Sequence, residues 1–190
     1  MSLQRCDWAE ANDLLAADHD AHWGVPIYAD QQLFRQLLLE SAQAGLSWTL
    51  ILSKQEGYRR AFDNFCPDKI ARYDDIKIQS LLNNPDIVRN QLKIRAAITN
   101  ARAYLDILQK YGSFADYCWS FVGGAPIINA WQHVQQVPSC SAESELLSAS
   151  LKQHGFKFVG NTTCYAFMQA VGMVNAVSYT HLKLPTKASV

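Results

Sequence analysis

Glu40 is the residue whose setting first points to chemistry. It follows Leu33 by seven residues and Leu37 by three, and precedes Ala44 by four, so on a helix it lies at the margin of an apolar stripe. A carboxylate drawn into such a face loses solvation and its pKa rises unless a donor or cation is supplied, a state enriched in functional pockets. A salt bridge or a cap on a neighbouring helix accounts for the same spacing. Trp8, Trp23 and Trp48 form the next group. Flat aromatic faces are what a protein uses to stack an extruded nucleobase, and equally what fills a helical core. Cys6 and His19 are zinc-ligand types, yet two of them make half of a tetrahedral site. Near the other end, Phe156 to Thr163 sets Lys157 and Gly160 just before a helix start. Free backbone N–H groups there can hold a phosphate or simply serve as a cap.

The elements that must position these residues read as helices throughout. Apolar residues recur at helical spacing, and neither two-residue alternation nor an Asn-Gly hairpin signal is found, so the fold class is all-α. Asp30 can cap a helix running to about Ala44 and stopped by Gly45, and Ser47 opens another that carries Trp48 through Phe62. Pro67 fits the first position of a short helix through Tyr73, and Asp74 or Asp75 caps the next, ending near Asn83-Asn84-Pro85. The longest stretch, Leu92 to Tyr111, ends at Gly112. A short aromatic helix covers Ser113 to Phe121, a loop region lasts from Gly123 to about Ser139, and helices follow from Ser141 to His154 and from Asn161 to Val174.

Composition limits the function classes. At 190 residues, 49% hydrophobic and 18% charged, the chain suits one well-filled core. No apolar run approaches the roughly 20 residues needed to span a bilayer, so a cytoplasmic protein with no membrane partner is expected. Five cysteines, odd in number and without a CxxC pair, suit reduced thiols better than a disulfide framework. The formal net charge is +0. Any nucleic-acid surface must therefore be a local basic patch balanced by acidic residues elsewhere.

Taken together, the motifs resemble those of a known family. The chain carries Arg5-Cys6-x-Trp8, His19-Asp20-x-x-Trp23-Gly24-Val25-Pro26 and Leu39-Glu40-x-x-Gln43-Ala44-Gly45-Leu46-Ser47-Trp48. It continues with Lys93-Ile94, Asn100-Ala101-Arg102-Ala103-Tyr104, Trp119-Ser120-Phe121-Val122 and Gly155-Phe156-Lys157-Phe158-Val159-Gly160. The last piece is Cys164-Tyr165-x-Phe167-Met168-Gln169-Ala170-x-Gly172-x-Val174-Asn175. In this order and wording the chain resembles the DNA-3-methyladenine glycosylase I family of the helix-hairpin-helix superfamily, over residues 4 to 175.

The resemblance implies a compact helical glycosylase fold, a monofunctional base-excision enzyme acting on alkylated double-stranded DNA, and a monomer. It makes Glu40 the carboxylate that hydrogen-bonds the extruded alkylated adenine and Trp48 a stacking wall, with Trp8 and Trp23 near the same pocket. Cys6 and His19 match two of the four ligands of the family's structural zinc. Asn84 to Lys93 match the hairpin laid on the DNA backbone, so Lys93, Arg95 and Lys157, with the amides near Gly160, are the expected phosphate contacts. A non-catalytic helical DNA-damage-binding module is the alternative, and it would leave Glu40 idle.

Three departures qualify the resemblance. Asp18 stands where the family carries Tyr, which puts substrate preference in question, and His22 stands where it carries Glu. After Asn175 the His and Cys that complete the zinc site are missing, and a stable zinc is therefore not expected. Residues 176 to 190 resemble a translated sequencing-library adapter, so the glycosylase domain is expected to end at 175.

Overall fold

A computed structural model of the chain describes residues 5–129, 131 and 134–175. The expected tail from 176 onward lies outside the described residues. The elements are α1 (Asp13–Ala21), α2 (Asp30–Gln43), α3 (Trp48–Ser53), α4 (Gln55–Ala61), α5 (Pro67–Ile70), α6 (Asp75–Leu82), α7 (Gln91–Tyr111), α8 (Phe114–Ser120), α9 (Ala142–Gln153) and α10 (Asn161–Ala170). Single 3-10 turns cover Asp7–Ala11, Asp63–Phe65 and Val134–Gln136. Among the described residues the only β pairing is an isolated parallel bridge between Ile127 and Val174. The all-α expectation is met.

The centre of the core is α2. Leu33, Phe34, Leu37, Leu38 and Leu39 are buried on it, and Gln36, Glu40 and Ser41 are buried with them. A helix buried on so much of its circumference must be wrapped by others, and α3, α7, α8 and α10 pack against it. The long α7 supplies the second layer, from its Asn90 cap, whose side chain accepts from the Lys93 N–H, to Gly112 at φ 83°. That left-handed end is one a glycine takes without strain.

Several helix ends differ from expectation. Asp30 does not cap its own helix: Ala29 holds the N-cap position of α2 without a side-chain bond. The Asp30 carboxylate instead accepts from Ser113 Oγ at 3.0 Å and from the Ala115 N–H at 2.8 Å, capping α8 across the core. The helix expected from Ser47 through Phe62 breaks at Lys54 into α3 and α4. The last helix stops at Ala170, short of Val174. Gly172, at φ 72°, comes so close to the Gly24–Pro26 loop that an added Cβ would lie 2.6 Å from Pro26 N. Two loops share this corner, with Gly24 N–H on Ala170 O at 3.1 Å and Ile127 N–H on Met173 O at 2.9 Å.

The turn between α6 and α7 is pinned from one side by α4. Gly57 sits against Asp86 with no room for a Cβ, Lys54 Nζ donates to Pro85 O at 2.6 Å, and the Val88 N–H donates to Tyr58 Oη at 3.3 Å.

Candidate functional site

Glu40 lies on the inward face of α2, 4% exposed, and borders a cavity of about 400 Å³. Trp8, Trp23 and Trp48 line the same cavity, with Leu15 from α1 and Gln169 from α10. The four residues singled out for base binding, spread over forty positions of sequence, are thus brought together. The three tryptophans are half-buried rather than core. Glu40 is reached through its own helix, since Gln36, one turn earlier, donates its side-chain amide to Glu40 Oε1 at 2.9 Å. Burial pushes the Glu40 carboxyl up from 4.5 to about 7, the Gln36 donation pulls it down, and the negative charge of Asp18 adds to the rise. Such a group is neutral or charged depending on what enters the cavity, because a cation placed beside it favours the carboxylate.

The aromatic walls are held from the N-terminal segment. The His19 ring stacks on Trp23 with centroids 5.5 Å apart and planes at 15°, and Trp8 meets both edge-on. Arg5 grips Asp20 through Nε at 3.0 Å and Nη2 at 2.7 Å, and Asp20 Oδ1 lies 3.1 Å from His19 Nδ1. The Arg5 hydrogen bond, followed by that of His19, lowers the Asp20 carboxyl to about 2. At the edge of the wall formed by Trp48, its Nε1 donates to Asp18 Oδ2 at 3.0 Å.

Cys6 and His19 are neighbours, the Cys6 N–H donating to His19 Nε2 at 3.4 Å. Among the described residues no cluster of three or more His, Cys, Asp or Glu side chains is placed to hold a metal. Two donors do not fit a tetrahedral structural zinc. His181 lies outside the described residues.

The proposed phosphate contacts are dispersed in what they do. Lys93 points its ammonium back at the end of α2, donating to Ala42 O and Ala44 O at 2.7 Å each, and burial lowers its pKa. It caps the helix that bears Glu40, because the last carbonyls of a helix lack partners and attract a cation. Arg95 is exposed and reaches Asp75 at 3.3 Å. Lys157 is also exposed. Its backbone is clamped by buried Asn100, which accepts from the Lys157 N–H at 2.7 Å and donates to Lys157 O at 3.0 Å. Phe158 follows at φ 56°, and Gly160 is the N-cap of α10 without a side-chain bond.

Two site residues escaped the sequence reading as partners. Gln36 was legible, since a glutamine four residues before a glutamate faces it on a helix. The bond from Trp48 to Asp18 joins positions thirty apart and carries no local signal.

Comparison with known proteins agrees with this geometry. The chain matches the family described as Methyladenine glycosylase over residues 8–182. It is 43% identical over 173 residues to DNA-3-methyladenine glycosylase 1 of Escherichia coli (strain K12), covering 91% of this chain and 92% of that protein. A crystal structure of 3-methyladenine DNA glycosylase I superposes with a TM-score of 0.88 at 46% identity, covering 90% of this chain and 94% of the other. A variant of 3-methyladenine DNA glycosylase I solved in complex with 3-methyladenine superposes with a TM-score of 0.87 at 38% identity, covering 90% and 92%. A fold and a sequence shared over about nine-tenths of the length leave one assignment: this chain belongs to the methyladenine glycosylase family.

Proposed function

We propose that the chain is a monofunctional DNA glycosylase that releases 3-methyladenine from alkylated double-stranded DNA. The observation that carries this reading is a buried carboxylate, Glu40, in a cavity walled by Trp8, Trp23 and Trp48. Alkylation at N3 leaves the adenine of the nucleotide positively charged, so the glycosidic bond is already weakened and the base is a competent leaving group. The protein has mainly to select it. Aromatic faces attract a cationic ring, and the Glu40 carboxylate accepts from the exocyclic amine, so a neutral adenine gains less from both. The arriving cation also offsets the burial that holds Glu40 near 7 and draws it toward the carboxylate. Water then attacks the sugar.

No lysine lines the Glu40 cavity among the described residues, and the Lys93 ammonium is committed to the carbonyls of α2. A Schiff base with the sugar, and the strand cleavage that follows from one, is therefore not part of the reaction. The turn between α6 and α7 acts as the helix-hairpin-helix element against the DNA backbone, together with exposed Arg95, Lys157 and the amides at the start of α10. The enzyme works as a monomer, and residues 1 to 175 form the catalytic domain.

The test is release of 3-methyladenine from methylated duplex DNA by purified protein, followed chromatographically and compared with Glu40→Gln. Release by the wild type and its reduction by about 10- to 100-fold in the variant support the reading. Retention of the damaged DNA with no release would return the chain to a non-catalytic damage-binding module.

A further inference from the structure

Asp18 belongs to none of the roles described so far, although it touches the pocket wall. It follows Leu15 by three residues on α1, on the same stripe of that helix, and Leu15 lines the Glu40 cavity. Asp18 itself lines an adjoining cavity of about 450 Å³ with His22, Arg35 and Gln36, and Trp23 and Trp48 are common to both cavities. Trp48 is therefore a partition with Glu40 on one side and Asp18 at its edge. The bond from Trp48 Nε1 to Asp18 Oδ2, at 3.0 Å, fixes the rotation of that partition. The carboxylate is largely sheltered, its side chain 14% exposed. The basic groups facing it are His22, at the C-cap of its own helix and 3.6 Å away, and Arg35 across the cavity on α2. Neither ends the influence of Asp18 on the pocket, since its charge is felt at Glu40.

We propose that Asp18 is a positioning and specificity residue, whose carboxylate holds the Trp48 indole in place as a wall of the base pocket and whose charge biases that pocket toward cationic over neutral purines. The proposal rests on the reading of the Glu40 cavity as the base site. Its physical basis is that a charged acceptor orients an indole N–H more firmly than a neutral one, and that a sheltered charge near the bound ring acts through little intervening water. One anion thus both fixes an aromatic wall and favours a positive base.

The experiment uses two probes differing by one methyl group, the permanently cationic 3,9-dimethyladeninium and neutral 9-methyladenine. Their affinities are measured by quenching of tryptophan fluorescence and by competition against base release from methylated DNA. Asp18→Asn keeps an acceptor for Trp48 and removes the charge, and Asp18→Ala removes both. In the Asn variant the neutral probe should bind within about twofold of wild type while the cation weakens by roughly fivefold. In the Ala variant both probes should weaken. Thermal midpoints within a few degrees of wild type for the Asn variant separate these effects from unfolding. An Asn variant that keeps the wild-type ratio of cation to neutral affinity overturns the proposal, whether both affinities fall together or neither does, and so does an Ala variant that binds both probes normally. A wild-type protein that binds neither probe and releases no base fails earlier, because it overturns the pocket assignment itself.

Discussion

Replacing Glu40 by Gln separates what the carboxylate costs the fold from what it does in the site. Burial holds the group at about 7 against an ordinary 4.5. That difference of about 2.5 pH units corresponds to roughly 3 kcal/mol. The sign follows from the direction of the displacement. Between pH 4.5 and 7 the folded protein keeps a proton that the unfolded chain has released, so the contribution is fully present below 4.5 and is lost as pH rises through 7. The Gln variant has no proton to lose. Its stability relative to wild type should therefore climb by about 3 kcal/mol from pH 4 to pH 8, with nearly all of the change complete by pH 7.5. Urea denaturation followed by circular dichroism at half-unit pH steps measures this directly. The same substitution should reduce base release about 10- to 100-fold, the worth of a hydrogen bond to a charged group. A stability difference that stays flat with pH would refute the argument, for it would mean that Glu40 is solvated or paired more strongly than by Gln36 alone.

Lys93→Met is expected to destabilise the fold by about 1–3 kcal/mol in the same assay, because Ala42 O and Ala44 O lose their shared donor. Gly57→Ala should weaken DNA binding and cost about 1–3 kcal/mol of stability while leaving free-base affinity unchanged, since the new Cβ would run into Asp86 and displace the α6–α7 turn; unaltered DNA affinity would release the turn from its assigned role. Lys157→Glu should lower affinity for duplex DNA and flatten its salt dependence, as measured by anisotropy between about 50 and 200 mM salt. Treatment with a chelator should leave the thermal midpoint unmoved and metal analysis should find less than one zinc per chain, because Cys6 and His19 supply two of four donors.

What the sequence made legible was whatever depends on neighbours along the chain. Ser113 and Ser141, the expected starts of two helices, cap them, and the stripe through Leu33 and Leu37 identified the face that takes Glu40 inside. What it hid depends on a polar side chain having two local uses and one distant one. Asp30 at the start of α2 looks like a cap for that helix, but its carboxylate accepts from Ser113 Oγ and the Ala115 N–H, which only the packing of α8 against α2 brings to it. Lys93 looks like a surface cation beside a turn, and only the approach of α7 to the end of α2 shows where its stem leads. The helices at Asp7–Ala11 and Asp13–Ala21 were passed over because their apolar faces are short, although the Asn12 cap was there to be seen.

The attachment of Lys93 has a consequence for how damage is found. One ammonium ties the beginning of α7 to the two carbonyls just past Glu40, while Gly57 seats the preceding turn on α4. On the function proposed above, the turn set against the DNA backbone and the cavity that takes the base are thereby held at a fixed separation, like the jaws of a locked calliper. With the gap fixed, a nucleotide would be sampled by where it swings and not by the letters beside it. Every purine that swings that far would be offered to the same cavity, so on that reading the release of a base is decided by the contest between tryptophan faces, one buried carboxylate and the charge of the visitor.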